Sequence, residues 1–323
     1  MITLFVIAIL LFVLELLYFR IADHFNIIDK PNLRSSHTSV TLRGGGIIFL
    51  LGAWIYIVFY GFPYPYFLAG LTAIAGISFA DDVHSIPNKI RLVVHFVAMF
   101  LMFQDFGILN LESWWIILIA LVVCVGIINA YNFMDGINGI TGGYSLAVLI
   151  PLLFVNKALH FMDDHFLWVA ILSVLVFCFF NFRKKAKCFA GDVGAVGIAF
   201  IILFALGRLI LLTGDFTYML FLAVYGIDSV LTIIHRIMLH ENIGEAHRKH
   251  AYQLMANELE IPHVIVSLMY MILQLCISMG LILFPIYHWI YFFSVIVVLM
   301  LMYILFKRKY YCLHEEYLKT KIG

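Results

Sequence analysis

The chain has 323 residues, 64% of them hydrophobic and only 12% charged, with a formal net charge of +1. Soluble domains are roughly half apolar and a quarter charged, so this composition argues against a soluble protein. A net charge this small gives no sign of nucleic acid, and none is expected as a partner; the 5 cysteines are odd in number and scattered without a CxxC pair, which excludes a disulfide framework.

The first apolar segment, 2–19, carries Glu15 and is followed by Arg20 and Asp23. It has neither a basic start nor a small-residue cleavage site, so it reads as a retained membrane span rather than a signal peptide. Further hydrophobic segments follow at 44–60, 66–80, 91–103, 114–129, 139–154, 166–181, 194–212, 217–234, 263–284 and 287–306. They are apolar all round, and several are long enough, or nearly so, for a hydrocarbon core of about 30 Å. The expected fold is all-α: a polytopic integral membrane protein of about 11 transmembrane helices, forming one domain over residues 1–323. The connecting loops alternate between two sides. One side takes every one of the 20 Lys and Arg residues except Lys157 and Arg208. The positive-inside rule makes that side cytoplasmic, with the N-terminus outside and the C-terminus inside.

The unusual polar residues fall in the cytoplasmic loops or at their edges. Asp81 and Asp82 close the segment 66–80, with Lys89 and Arg91 shortly after. Adjacent carboxylates repel unless a cation shares them, and Mg2+ takes carboxylate oxygens while bridging to substrate phosphates. A solvated acidic turn is the plain alternative. Between the next spans, NAYNFMDGING sets Asn129, Asn132, Asp135 and Asn138 among glycines that permit close ligand approach. A turn built on Asn and Gly for backbone geometry alone would look similar. Phe189-Ala-Gly191-Asp192 follows the basic run Arg183 to Lys187. Asp192 suits either a helix cap or a metal ligand beside a phosphate. His247-Arg248-Lys249-His250 lies in the longest inner loop, where cationic and imidazole groups suit a diphosphate; a plain basic loop is the alternative, and zinc is disfavoured without a nearby cysteine. Glu15 and Asp228 lie within spans, where ionisable groups are functional hypotheses by default. A transporter would hold such groups at the bilayer midplane in broken helices. An enzyme acting on a cytosolic substrate and a lipid headgroup would gather them at one interface, which is the pattern seen.

The stretches DKPNLRSSHTSVTLRGGG (Asp29 to Gly46), DDVHSIPNKIR (Asp81 to Arg91), NAYNFMDGINGITGG (Asn129 to Gly143), CFAGDVGAVG (Cys188 to Gly197) and AHRKHAYQ (Ala246 to Gln253) closely resemble, in this order, the polyprenyl-phosphate N-acetylhexosamine-1-phosphate transferase superfamily. The resemblance implies catalytic roles for Asp81, Asp82, Asp192 and Lys89, with Lys89 neutralising phosphate charge. It implies Mg2+, with Mn2+ as a substitute, on Asp192 and Asp82. Asn129, Asn132 and Asp135 would belong to the nucleotide-sugar site, Phe189 would stack on uracil, and His247, Arg248 and His250 would stand near the diphosphate or sugar. The chain departs from the family in having Asn138 where Asp is common and Ala195 where Ser is common. The loop from Phe182 to Lys187 is about one residue longer than is usual in the family, so no role passes to Asn181. The histidine motif differs from that of the muramoyl-pentapeptide enzymes and looks more like the branch that starts O-antigen, capsule or other surface glycans.

What the resemblance implies is transfer of an N-acetylhexosamine 1-phosphate from a UDP-sugar to undecaprenyl phosphate in a bacterial inner membrane, releasing UMP. Direct in-line attack is expected, with a covalent aspartyl-phosphate route as the alternative. A homodimer is compatible with it. The lipid tail requires a sideways entrance, and small residues between Leu68 and Ala80 would permit a groove near Asp81; ordinary helix packing is the alternative. Competing readings are a transporter, a non-catalytic membrane scaffold, and a CDP-alcohol phosphotransferase, whose aspartate-rich helix motif is absent.

Overall fold

A backbone in hydrocarbon must satisfy its hydrogen bonds internally, so long apolar runs become helices. The computed structural model describes residues 2–31, 36, 39–109, 114–245 and 247–322. Arg34 and Ala246, and the side chains of Lys319 and Lys321, lie outside the described residues. In chain order the helices are α1 (Ile2–His24), α2 (Ile47–Tyr60), α3 (Pro65–Val83), α4 (Asn88–Phe106), α5 (Trp114–Met134), α6 (Ile140–Leu159), α7 (Asp164–Asn181) and α8 (Gly191–Thr213). A 3-10 turn, Phe216–Leu222, runs into α9 (Ala223–Met238); α10 (Ala251–Asn257), α11 (His263–Leu283) and α12 (His288–Ile322) follow.

Each hydrophobic segment of the sequence coincides with a helix. Among the described residues 9 helical stretches are long and apolar enough to cross a membrane, fewer than the expected 11 or so. The shortfall has a local cause. Helix α2 has only 14 residues, and α4 carries Lys89, Arg91, His95, Gln104 and Asp105. The chain is an all-α polytopic membrane protein.

Helices α6 and α8 are buried along most of their length. Helices α1, α5 and α12 instead leave large apolar side chains uncovered, among them Phe5, Trp115, Val122, Ile290 and Leu305. In water this would be an aggregation surface; in a bilayer it is a lipid-facing one. Between α3, α4 and α8, Phe67 stacks on Phe204 at 4.0 Å and Phe106 stacks on Phe204 at 5.5 Å. Of the small residues on α3, Gly70 is taken up by packing, since a Cβ there would sit 2.9 Å from the Ala98 carbonyl of α4. An apolar cavity of about 770 Å3 lies elsewhere, between α9, α10, α11 and α12.

Two close contacts place the loops that carry the polar motifs. Gly46, just before α2, meets Gly194 in the first turn of α8 so closely that neither has room for a Cβ. The segment before α8 is then zipped onto the segment before α2. Phe189 N–H donates to Leu42 O at 2.8 Å, Gly45 N–H to Phe189 O at 2.9 Å, and Gly46 N–H to Ala190 O at 3.1 Å. A short antiparallel pair, β1 (Ile28–Asp29) with β2 (Thr41–Leu42), precedes this junction.

Candidate active site

Helix α3 ends where α8 begins, and the carboxylates of both meet there. Asp82, with a fully buried side chain, accepts the backbone N–H groups of Asp192 and Val193, each at 3.0 Å. These are orphan donors of α8's first turn, and a carboxylate suits that end of the helix dipole. Gly191, at φ +71°, makes the turn possible; a Cβ there would strike the Asp82 carboxylate.

Two arginines from other elements join this cap. Arg43 reaches Asp82 through Nε at 2.6 Å and Asp192 through a terminal nitrogen at 3.2 Å. Arg91, in the first turn of α4, reaches Asp81 at 2.6 Å and Asp192 at 3.0 Å. Asp81 also accepts the Ile86 N–H at 2.7 Å. The result is a continuous chain, Asp81–Arg91–Asp192–Arg43–Asp82, with three carboxylates against two guanidiniums. Burial works against the charge on Arg43, but Asp82 and Asp192 outweigh it and raise its pKa, so the cation is locked on. Tyr18 of α1 braces the same residue, donating its hydroxyl to the Arg43 carbonyl at 2.5 Å.

A cavity of about 290 Å3 adjoins the cluster, lined by Arg43, Asn132, Asp135, Asn138, Asn181, Phe189, Asp192, Gln253 and His263, among others. The loop after α5 brings Asp135 in, where its Oδ1 accepts the Thr141 hydroxyl at 2.6 Å. Desolvation pushes its carboxyl up to about 7, against the Thr141 hydrogen bond, which lowers it. Because the folded value lies above the unfolded one, near 3.9, this group's stabilisation is full at low pH and is lost as pH rises through about 7. Asp135→Asn is therefore expected to flatten the fall in thermal stability between about pH 4 and pH 7 in detergent. Melting curves across that window would check it; an unchanged slope would discard the assignment.

Asn138 and Asn181 tie the motif loops together. Asn138 donates to the carbonyls of Arg183 and Lys184 at 3.0 and 3.1 Å. An aspartate could not make those bonds, so the departure from the family pattern has a local use. Asn181 accepts the Gly139 N–H at 2.7 Å and donates to Cys188 O at 2.8 Å.

Of the residues singled out in the sequence, the structure brings Asp81, Asp82 and Asp192 together and sets Asn132, Asp135 and Phe189 around the adjoining cavity. It does not bring Lys89 in: that side chain is exposed, and the cations on the carboxylates are Arg43 and Arg91. Asn129 is exposed on α5 and does not line the cavity. His247, Arg248 and His250 stand behind it rather than on its wall. Arg248 pairs with Glu258 at 2.9 Å. His250 forms a reciprocal capping box with Gln253 at the start of α10. Burial, helped by His250 and Arg236, pushes His247 down to about 3, so it supplies no positive charge at neutral pH. The sequence alone assigns no role to Arg43, Arg91, Asn181, Gln253 or His263. Arg43 and Arg91 do lie inside motif stretches, but nothing local distinguishes them from Lys89.

Comparison with known proteins points the same way. Residues 64–211 match the family described as Glycosyl transferase family 4, a stretch that holds Asp81, Asp82, Asp135 and Asp192. The chain is 25% identical over 261 residues to a probable undecaprenyl-phosphate N-acetylglucosaminyl 1-phosphate transferase of Bacillus subtilis, covering 73% of this chain and 72% of that one. It is 30% identical over 226 residues to the undecaprenyl-phosphate alpha-N-acetylglucosaminyl 1-phosphate transferase of Escherichia coli, covering 62% and 60%. A phospho-N-acetylmuramoyl-pentapeptide-transferase of Thermotoga maritima is 27% identical over 210 residues, covering 60% and 67%. The alignment thus spans about three fifths of the Escherichia coli protein's own length. In its motifs, in the match over residues 64–211 and in these relatives, the chain is similar to the polyprenyl-phosphate N-acetylhexosamine-1-phosphate transferase superfamily.

Proposed function

We propose that this chain transfers a sugar 1-phosphate from a UDP-N-acetylhexosamine to undecaprenyl phosphate, giving undecaprenyl-diphospho-sugar and UMP. The observation that carries this reading is the chain Asp81–Arg91–Asp192–Arg43–Asp82 beside a polar cavity at one end of an apolar helix bundle. Phosphoryl transfer requires positioning and charge stabilisation more than covalent chemistry, and this cluster is suited to both. An acceptor phosphate oxygen attacks the sugar-bearing phosphorus, the bond from that phosphorus to the bridging oxygen breaks, and UMP departs with the electron pair.

Mg2+, with Mn2+ as a substitute, would be held by Asp192 and Asp82 and would neutralise the donor diphosphate. The donor chemistry fits, because both side chains offer hard oxygens. Among the described residues no group of three or more His, Cys, Asp or Glu is arranged to hold an ion unaided. Magnesium commonly takes only one or two carboxylates, with substrate phosphates and water completing its shell. Arg43 and Arg91, released from the carboxylates, would turn to phosphate oxygens, which guanidinium matches bidentately. Phe189 offers its ring to the base, while Asn132 and Asp135 form the polar wall. The topology that goes with this proposal is about 11 crossings, of which 9 helical stretches among the described residues are long and apolar enough, with the N-terminus outside and the C-terminus cytoplasmic in a bacterial inner membrane; a homodimer is compatible with it.

The test is UMP release by purified protein with undecaprenyl phosphate, Mg2+ and a panel of UDP-N-acetylhexosamines. No release with any donor, beside an active control enzyme, would overturn the proposal. Arg91→Ala is expected to slow release by roughly 10- to 100-fold, the range of a charge-assisted hydrogen bond. Lys89→Ala is expected to change it less than about threefold. The two rates measured side by side decide which cation serves the phosphates.

A further inference from the structure

We propose that Asp228 is the positioning residue of the cavity, tying α10 to α9 and α11 and, through Tyr252, to the end of α5. The inference deepens the functional reading above and rests on it. Asp228 is buried in α9, one face toward the apolar cavity and its oxygens toward α10. Its Oδ1 accepts the Ala251 N–H at 3.0 Å and the Thr232 hydroxyl at 3.2 Å, and lies 3.3 Å from His250 Nδ1. Its Oδ2 accepts the Tyr270 hydroxyl of α11 at 2.6 Å and, at 3.4 Å, the Tyr252 N–H. An ionised carboxylate accepts at about four lone-pair positions, which no neutral side chain of this shape provides.

Two consequences run from this anchor to the cavity. With the first turn of α10 fixed, the capping box holds Gln253, whose Oε1 accepts the His250 N–H at 3.2 Å and which lines the cavity. Tyr252 reaches the other way. Its hydroxyl donates to Phe133 O at 2.9 Å, and its ring packs where Gly136 has no space for a Cβ. Phe133 and Gly136 bracket Asp135. One buried carboxylate therefore sets the register between Gln253 on one wall and Asp135 on another.

Asp228→Asn replaces one accepting oxygen with an NH2 that faces donors. The expected result is a KM for the UDP-sugar raised roughly tenfold with a smaller fall in kcat. Hydrogen exchange should show lost protection at the amides of Ala251 and Tyr252 and also at Asp135 and Gly136. Tyr252→Phe cuts only the second link, so it should raise KM and deprotect Asp135 and Gly136 while Ala251 stays protected; it also serves if Asp228→Asn fails to fold. Wild-type exchange at Asp135 and Gly136 in Tyr252→Phe would overturn the proposal, whether or not any donor reacts, and so would an unchanged KM in an active variant. A wild-type protein that turns over no donor would instead overturn the functional reading.

Discussion

Asp192→Asn is expected to lower UMP release by about 1000-fold or more while leaving the bundle folded. Asp192 is the only residue in the carboxylate–guanidinium chain that touches both arginines, at 3.2 and 3.0 Å, and it also faces the cavity. Removing its charge leaves Arg43 with Asp82 and Arg91 with Asp81, so the surplus carboxylate that would share a divalent cation is gone. Affinity for that cation should fall with activity, which a Mn2+ titration followed by electron paramagnetic resonance would measure separately from turnover. Asp82→Asn should lose comparable activity but also stability. An amide has a single oxygen with which to meet two N–H groups of α8 and Arg43, so one donor is left buried and unsatisfied, at about 1–3 kcal/mol. The pair distinguishes a residue needed for chemistry from one that also builds the helix terminus. Asp192→Asn retaining more than a tenth of wild-type activity would remove the cluster from the reaction.

Gly46→Ala is expected to destabilise the protein by about 2 kcal/mol or more and to abolish transfer, although the added methyl touches no substrate. A Cβ on Gly46 would fall on the Gly194 Cα and lie 2.9 Å from the Ala190 carbonyl. Both obstacles are backbone, so no side-chain rotation relieves them, and α2 must move from α8. That movement would draw Arg43 from Asp82 and Asp192, which sit on α3 and α8. Gly76→Ala is the matched control: it adds the same methyl on α3, where nothing lies within 4 Å. In detergent, Gly46→Ala should melt several degrees lower and Gly76→Ala should melt like the wild type. Equal melting of both would show that the glycine crossing does not hold the site.

Hydropathy is a local property, and in lipid the backbone has few alternatives to helix. That is why every apolar segment of the sequence coincides with a helix, and why the polar clusters between them are legible as lying at one end of the bundle. The acidic members of the site were equally legible, because paired aspartates and a Gly-Asp at a span boundary are unusual in so apolar a chain. Their partners were not. Lys89 and Arg91 sit two residues apart on α4, and only the rotation of that helix against α3 and α8 decides which faces Asp81 and Asp192. Arg43 meets Asp192 across 149 residues of sequence, through a glycine contact that no spacing rule anticipates. The histidine motif was visible as a motif, yet its role depends on Asp228, Glu258 and Gln253, which engage His250 and Arg248 from other turns of the chain. Local chemistry thus determined which segments cross or fold and which carry acid. Tertiary packing alone decided which charges pair, because a side chain's neighbours in space follow from helix rotation and close approach, not from its neighbours in sequence.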